Sequence, residues 1–299
     1  MNHHFRKSLG FTLLEVVVVI VITGVMGAMM AVFIKAPVQG YVDSSRRAEM
    51  GDIADTALRR LGRDIRTAVP NSVRVPAAAC VANAGTPCYL EFLPTRTGGR
   101  YRAAPATAGP VVCVSYARAV LDFDINDGCF EVIGAPVTFV AGDQIVIGST
   151  QSSGDAPYKD TFAGNGVRRA YIGGAGAQSF VSMTAERLPA FAEVPGQRFD
   201  VVPGDQNAVT YACINTGVDA NGDGSGTLMR YWAYGFNPNL LAPPPVGGSA
   251  AMLADRVSAC EITYDLVNQR SGLVAIRLGI SRSGESISLY HAIHVNNVP

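Results

Sequence analysis

Glu15 is the one charged residue within a long apolar stretch near the start of the sequence. It is followed by residues 16–34, none of which is charged. An ionised carboxylate in an apolar environment is strongly destabilised unless a cation pairs with it, so an ionisable group in such a segment normally has a partner or a function. We therefore expect Glu15 to form a specific ion pair. A glutamate that reaches out to the polar edge of a membrane is the alternative.

A second group of oxygen-bearing side chains lies in the sequence DANGDG, residues 219–224. Asp219, Asn221 and Asp223 alternate there, as in the first half of an EF-hand calcium loop. Position twelve of such a loop requires glutamate and is Arg230 here, which excludes an EF-hand. Calcium held by these three side chains and backbone oxygens is one hypothesis, and a turn with Asx hydrogen bonds between two strands is the favoured one. No other cofactor is predicted.

The cysteines are even in number and all follow the apolar stretch. They are Cys80, Cys88, Cys113, Cys129, Cys213 and Cys260. None forms a CxxC pair, which argues against a zinc site or a redox dithiol. If this part of the chain is exported, disulfides are expected. We favour local pairing of Cys80 with Cys88, Cys113 with Cys129, and Cys213 with Cys260, and buried free thiols are the alternative.

The sequence lacks the common catalytic motifs. It contains no HExxH, no GxSxG and no phosphate-binding loop. After residue 10 the only histidines are His291 and His294, and a Ser/His/Asp hydrolase would need one of them. His291 falls on the apolar face of a predicted strand, where a histidine of the core or its rim is expected. We therefore predict no enzymatic activity.

The composition indicates a body rich in strands and loops. Of 299 residues, 48% are apolar and only 16% are charged, with 32 glycines and 17 prolines. The formal net charge is zero, which gives no electrostatic basis for binding nucleic acid.

The element that positions Glu15 is a hydrophobic segment long enough to cross a membrane. As a helix, residues 16–34 are roughly 28 Å long, close to the thickness of a hydrocarbon core. Arg6 and Lys7 precede the segment and Lys35 follows it. The positive-inside rule therefore places the first ten residues in the cytoplasm and the chain after Lys35 outside. A cleaved secretory signal and a simple membrane anchor are the alternatives, and neither explains Glu15.

The sequence KSLGFTLLEVVVVIV, residues 7–21, resembles the signal of type IV prepilins and type II secretion pseudopilins. The shared features are a short basic leader that ends in Gly10, then Phe11, then Glu15 and an unbroken apolar run. The resemblance implies that a membrane-embedded prepilin peptidase cleaves between Gly10 and Phe11 and methylates the new N-terminus of Phe11. It rests on this N-terminal part of the chain alone.

The same resemblance implies a role for Glu15 in assembly. Cleavage creates an amine at Phe11, which is positively charged near neutral pH, and Glu15 would pair with it in the same or a neighbouring subunit. The implied partners are other major and minor pilins through the N-terminal helix, the prepilin peptidase and the inner-membrane assembly platform. The implied location is the inner membrane with the C-terminal head in the periplasm, and then the pilus at the cell surface.

An amphipathic helix is predicted to extend the membrane segment. Apolar residues recur there at steps of three and four, with charged residues on the other faces: Met50, Ile53, Ala57, Leu61, Ile65 and Ala68. Pro70 ends the helix at the latest. The predicted fold is α+β and type IV pilin-like, with this helix packed on an antiparallel β-sheet head that carries large loop insertions. The predicted segments are the leader 1–10, the membrane helix 11–35, its amphipathic extension 36–69 and the head 70–299.

Short β-type runs separated by Gly, Pro, Asn and Asp follow the helix. The predicted strands are 89–93, 111–116, 144–147, 170–172, 209–214, 228–234, 260–266, 273–281 and 286–295. We expect the hairpin of the last two, which alternate most clearly, at the centre of the sheet that receives the helix. Residues 150–179 and 240–250 are rich in Gly, Pro or polar side chains and are predicted to be surface insertions.

The body also resembles the MSHA-type minor pilins of the MshO family. The matching pieces are residues 64–75, 228–236, 253–265 and 291–299. The resemblance implies a minor pilin that takes part in the initiation and assembly of a mannose-sensitive haemagglutinin pilus. The alternatives are a type II secretion minor pseudopilin of the J kind, a membrane-anchored periplasmic adhesin or binding domain, and an anchored hydrolase.

Overall fold

The computed structural model describes residues 10–104, 120–151, 153–268 and 271–298. The chain divides into two units, Met1–Glu49 and Met50–Pro299. Helix α1 (Leu13–Arg66) begins in the first unit and ends in the second. It continues through Pro37, so this proline does not end the helix.

The strands of the described chain all belong to the second unit. In chain order they are β1 (Ala79–Val81), β2 (Cys88–Phe92), β3 (Thr97–Arg100), β4 (Cys129–Glu131), β5 (Val137–Phe139), β6 (Gln144–Ile147), β7 (Arg168–Ala170), β8 (Gly176–Gln178), β9 (Phe180–Ser182), β10 (Arg198–Val202), β11 (Val209–Ile214), β12 (Gly226–Trp232), β13 (Ser249–Asn268), β14 (Ser271–Arg282) and β15 (Glu285–Asn296). Short 3₁₀ helices cover Ala156–Tyr158, Phe162–Gly164 and Ala190–Ala192.

The largest sheet is antiparallel and has the strand order β15-β14-β13-β12-β11-β2. Strands β11 to β15 form a continuous meander, and β2 joins it beside β11. The long β13 pairs with β12 along its first half, and with β14 and the short β1 along its second half. A helix followed by antiparallel sheets is an α+β fold, consistent with the pilin-like class that was predicted.

The last turns of α1 pack on one face of this sheet through a stripe of apolar side chains. The buried members are Met50, Ala54, Ala57, Leu58, Leu61 and Ile65. They share one core with side chains of β2, β11, β13, β14 and β15, and Ile53 and Ala68 are partly buried against it. The predicted stripe is present, and Ala54 and Leu58 widen it to the breadth that a helix on a sheet needs.

The described residues between 93 and 208 form a second β-structure that is inserted between β2 and β11, two neighbouring strands of the main sheet. Its described part contains a four-stranded sheet in the order β3-β10-β6-β7 and the pairs β4-β9 and β5-β8. A core of its own surrounds Tyr101, Phe130 and Phe199. Because the two ends of the insertion are held by adjacent strands, the main sheet stays continuous.

The prediction that residues 150–179 are a surface excursion is wrong. Tyr158 and Val167 are buried in the second core, and Arg169 is buried as well. The Arg169 guanidinium donates hydrogen bonds to the backbone carbonyls of Asp160, Gly166, Arg168, Glu186 and Arg187. A charged side chain can be buried when backbone acceptors surround it, which is why the polar composition of this segment was misleading.

The hairpin of β14 and β15 has the predicted alternation but not the predicted position. Alternate side chains of both strands are buried or partly buried in the first core: Val274, Ile276, Leu278, Ile280, Ile287, Leu289, Ile293 and Val295. However, β15 is the edge strand of the sheet, so the hairpin is not central. Alternation reports which face of a strand is buried and does not report how many strands lie beside it.

The other predicted strands agree with the structure to different degrees. Strands 144–147 and 209–214 have the observed bounds, whereas 170–172 overlaps β7 at one residue only. β13 begins at Ser249 rather than at residue 260, so the end of the predicted 240–250 insertion already belongs to a strand. The predicted strand 111–116 lies outside the described residues.

Disulfides link the strands of the main sheet. The structure contains Cys80–Cys88 and Cys213–Cys260, which are two of the three locally paired disulfides favoured from the sequence. The third predicted pair joins Cys129 to Cys113, which lies outside the described residues.

Candidate functional site

The peptide bond expected to be cleaved lies in non-helical backbone at the start of the first unit. Gly10 and Phe11 precede α1, which begins at Leu13, and both are exposed. Exposed backbone near a chain terminus, without regular hydrogen bonds, is where proteolysis concentrates. The local structure therefore suits cleavage between Gly10 and Phe11, and the cleavage itself stays a prediction.

Thr12 caps the helix and places Glu15 in its first turn. The Thr12 Oγ1 accepts a hydrogen bond from the Glu15 backbone N–H at 3.2 Å, and the Thr12 carbonyl accepts one from the Val16 N–H at 3.2 Å. The spacing Thr-x-x-Glu is that of a capping box. This role of Thr12 was not predicted, although the letters TLLE carry its signal. A carboxylate in the first turn is also stabilised by the positive end of the helix dipole.

The carboxylate of Glu15 is exposed, and no Lys or Arg side chain in the described part of the chain forms an ion pair with it. The side chains around it are apolar and exposed, among them Phe11, Leu13, Leu14 and Val19. Within the described residues, α1 is the one helix long and apolar enough to cross a membrane, by length and composition. The site thus combines an acid without an ion pair and an apolar surface that no described residue of its own unit covers.

The calcium candidates Asp219, Asn221 and Asp223 lie together in a tight turn between β11 and β12. Asp219 Oδ1 accepts hydrogen bonds from the backbone N–H groups of Asn221 at 2.8 Å and Asp223 at 2.9 Å. Backbone hydrogen bonding, above all with Asp223, lowers the pKa of the Asp219 carboxyl. Asp223 Oδ1 accepts a bond from the Ser283 N–H at 2.6 Å. These are the bonds of an Asx turn, and calcium binding stays a prediction.

No group of three His, Cys, Asp or Glu side chains that could hold a metal ion occurs within residues 10–104, 120–151, 153–268 and 271–298.

The two histidines after residue 10 lie on opposite faces of β15. His291 is partly buried with its Nε2 3.0 Å from the position that a Cβ would take on Gly62, and His294 is exposed. Neither forms a hydrogen bond to a described side chain, so this part of the chain does not assemble a Ser/His/Asp triad.

A buried polar network in the second unit was not predicted. Arg74 and Glu91 form an ion pair at 2.6 Å with both side chains almost fully buried. Glu91 Oε1 also accepts a hydrogen bond from the Tyr234 hydroxyl at 2.7 Å, and the Arg74 guanidinium lies 3.5 Å from the centre of the Tyr158 ring. Burial raises the pKa of Glu91, and the Arg74 charge opposes this rise. The network joins the main sheet to the second core, and its members are too far apart in sequence to form a motif.

Residues 5–31 match a family model described as the Prokaryotic N-terminal methylation motif. The matched residues include Gly10, Phe11 and Glu15. No curated protein and no solved structure matches the chain. The motif supports a type IV pilin or pseudopilin, a class that is generally non-enzymatic and that interacts with other pilins and with the prepilin peptidase. Together with the apolar helix, it fits a membrane-anchored protein.

Proposed function

We propose that this chain is a minor pilin of the MSHA type that is processed by a prepilin peptidase and takes part in the initiation and assembly of a type IV pilus. The supporting observation is the arrangement at the N-terminus. It consists of an exposed Gly10–Phe11 bond, a Glu15 carboxylate without a cationic partner in the described chain, and an apolar helix whose side chains are exposed. The protein is inserted in the inner membrane and then carried into the pilus.

Cleavage supplies the cation that Glu15 lacks. Hydrolysis of the Gly10–Phe11 peptide bond adds one water, leaves a carboxylate on Gly10 and leaves an amine on Phe11 that takes up a proton near neutral pH. Because Thr12 caps the helix, this ammonium group lies directly before the first helical turn that carries Glu15. Pairing of the two, in one chain or between neighbours, neutralises both charges in an apolar environment.

The exposed face of α1 supplies the cohesion between subunits. Helices in lipid associate by close packing, for which small residues four positions apart are typical. Gly24 with Ala28, and Gly27 with Ala31, have this spacing, and a Cβ on either glycine would meet no atom within 4 Å. A neighbouring helix can therefore approach closely at this level. The function is mechanical and requires no catalytic group.

The shape of the second unit supports a minor rather than a major role. Residues 93–208 add a second core to the sheet that receives the helix. A head of this size is bulky for a subunit that repeats along a fibre, whereas a subunit present in few copies is under no such constraint. This agrees with the resemblance of the body to MSHA-type minor pilins.

Mass spectrometry of the N-terminal peptide of the native protein tests the processing step. We expect a peptide that starts with N-methylated Phe11. A protein that keeps Met1, or one that starts near Ala31 as after a secretory signal, contradicts the proposal.

Replacement of the acid tests the assembly step. Glu15→Gln preserves the shape of the side chain and removes its charge, so we expect normal cleavage but loss of the subunit from sheared fibres, measured by immunoblot and immunogold microscopy. Asp52→Asn, an exposed carboxylate further along α1, is the matched control and should assemble normally. Undiminished incorporation of the Glu15→Gln protein contradicts the role of this residue.

A minor pseudopilin of the J kind in type II secretion is the second candidate, because the matched motif is shared by both classes. Deletion of the gene distinguishes them. Loss of surface fibres with normal export supports the pilus, and loss of export with normal fibres supports the secretion system.

A further inference from the structure

We propose that the open edge of β15, together with the arginines at the end of α1, is a docking site for an extended acidic segment of another protein. The segment would add to the main sheet as one further antiparallel or parallel strand and place acidic side chains beside the helix. Such an edge would serve a fibre and a secretion apparatus alike, so the proposal does not depend on which of the two the chain belongs to.

The edge strand is long and regular. β15 pairs with β14 over its whole length, from Glu285 opposite Arg282 to Asn296 opposite Ser271, and the register contains no bulge. On its other side β15 pairs with no strand of the described chain. A row of unpaired backbone groups of this length is a template for the addition of a strand from another chain.

The turn of the hairpin determines which backbone groups are free. Ser283 and Gly284 have φ values of 52° and 80° and form a two-residue loop of the I′ kind. The closing pair, Arg282 and Glu285, therefore exchanges both backbone hydrogen bonds, and hydrogen-bonded pairs alternate from there. It follows that Ser286, Ser288, Tyr290, Ala292 and His294 point their N–H and C=O groups away from β14.

β15 lacks the features that normally protect an edge. Natural edge strands carry proline, lysine, a bulge or an inward-pointing charge. β15 has none of these, and its one charged residue is Glu285 at its first position. The opposite edge of the sheet is protected: Arg74 and Glu91 of β2 exchange two backbone hydrogen bonds of 2.9 Å. The contrast indicates that the β15 edge is kept open.

The charge beside this edge selects the occupant. Arg59, Arg63 and Arg66 of α1 and His291 of β15 line a cleft of about 440 Å³. Arg59 is paired with Asp55 at 2.7 Å, but Arg63 and Arg66 form no ion pair within the described residues. A strand added to β15 lies at this cleft, and carboxylates on its helix-facing side would meet the two unpaired guanidinium groups. The occupant is therefore an extended segment with acidic residues at alternate positions.

Binding of fluorescently labelled ten-residue peptides to the full-length protein in detergent micelles tests the proposal. Fluorescence anisotropy of the peptide measures this binding. The acidic probe alternates valine and glutamate, and the control probe alternates valine and lysine. We expect the acidic probe to bind and the lysine probe not to bind. Equal binding of both, or no binding of the acidic probe, overturns the proposal.

Variants of the edge and of the cleft locate the binding. Ala292→Pro removes an outward N–H at an exposed position where proline is tolerated, and it should weaken binding about tenfold. Ala292→Val retains the N–H and should bind normally. Because Ala292→Pro could fail to fold, Arg63→Glu with Arg66→Glu provides an independent test and should abolish binding. Unchanged affinity in Ala292→Pro, or in Arg63→Glu with Arg66→Glu, contradicts the proposal. A dimer that Ala292→Pro dissociates contradicts it as well, because a second copy of the chain would then occupy the edge.

Discussion

Asp64 of α1 and Arg230 of β12 form an ion pair in which Arg230 Nε donates to Asp64 Oδ2 at 2.9 Å. The same oxygen accepts a hydrogen bond from the Tyr211 hydroxyl of β11 at 2.7 Å. The Arg230 side chain is only 8% exposed, so the Asp64 carboxylate compensates a positive charge that water solvates poorly. One acid on the helix thus holds two strands of the main sheet.

Removal of Asp64 should therefore destabilise the second unit. Asp64→Ala leaves the buried Arg230 guanidinium unpaired, and we expect the free energy of unfolding to fall by about 2–4 kcal/mol. Chemical denaturation of the purified protein measures this. Asp52→Ala on the exposed face of the same helix is the control and should change stability by less than about 0.5 kcal/mol. Equal effects of the two substitutions contradict the role of the ion pair.

The close approach of α1 to β15 leaves little room for a side chain at position 62. A Cβ there would lie 3.0 Å from His291 Nε2 and 3.7 Å from Ile293 Cδ1. We expect Gly62→Val to destabilise the protein by about 1–3 kcal/mol through overpacking. Gly51→Val is the matched control, because a Cβ on Gly51 meets no atom within 4 Å. Thermal unfolding measures both variants, and removal of the His291 ring in Gly62→Val/His291→Ala should recover part of the loss.

The two described disulfides should differ in their contribution to stability. Cys213 and Cys260 are 47 positions apart, and Cys80 and Cys88 are 8 positions apart. A cross-link that closes a longer loop restricts the unfolded chain more, which corresponds to about 4 kcal/mol for the first pair and about 2.5 kcal/mol for the second. Denaturation of Cys213→Ala/Cys260→Ala and of Cys80→Ala/Cys88→Ala measures the two values. The reverse order would show that native-state effects outweigh loop entropy.

The raised pKa of Asp200 predicts that the free energy of unfolding depends on pH between about pH 4 and 6. Burial raises the pKa of the Asp200 carboxyl to about 6, and the charge of Arg198 opposes the rise only in part. In the unfolded chain an aspartate has a pKa of about 4. Because the folded pKa is the higher one, the folded state binds the proton more tightly, and stability is lost as the pH rises from about 4 to 6.

Asp200→Asn isolates this contribution. The amide cannot ionise, so the variant does not lose this stability as the pH rises. Its free energy of unfolding relative to the unsubstituted protein should therefore increase by about 1–3 kcal/mol from pH 4 to pH 7. Urea denaturation at several pH values measures the difference. A difference that is the same at pH 4 and pH 7 would contradict the raised pKa.

Patterns within short stretches predicted the local structure well. The alternation in LVAIRLGIS and SISLYHAIHV identified the buried faces of β14 and β15, and the apolar steps from Met50 to Ile65 identified the buried stripe of α1. Both follow from the geometry of a single strand or helix. The cap formed by Thr12 has an equally local signal, TLLE, which makes it predictable from the sequence.

The sequence by itself determined the N-terminal motif, the apolar helix with its acid, and the period of the main elements, because each is encoded in neighbouring residues. Only the tertiary structure decided that β15 lies at an edge, that residues 93–208 form a second core, and that Arg169 is buried. It also decided that Arg74 meets Glu91 and that Asp64 meets Arg230, 166 positions away. These relationships arise when distant segments compete for the same hydrogen-bond partners and the same apolar surface, and no short stretch of sequence records the outcome of that competition.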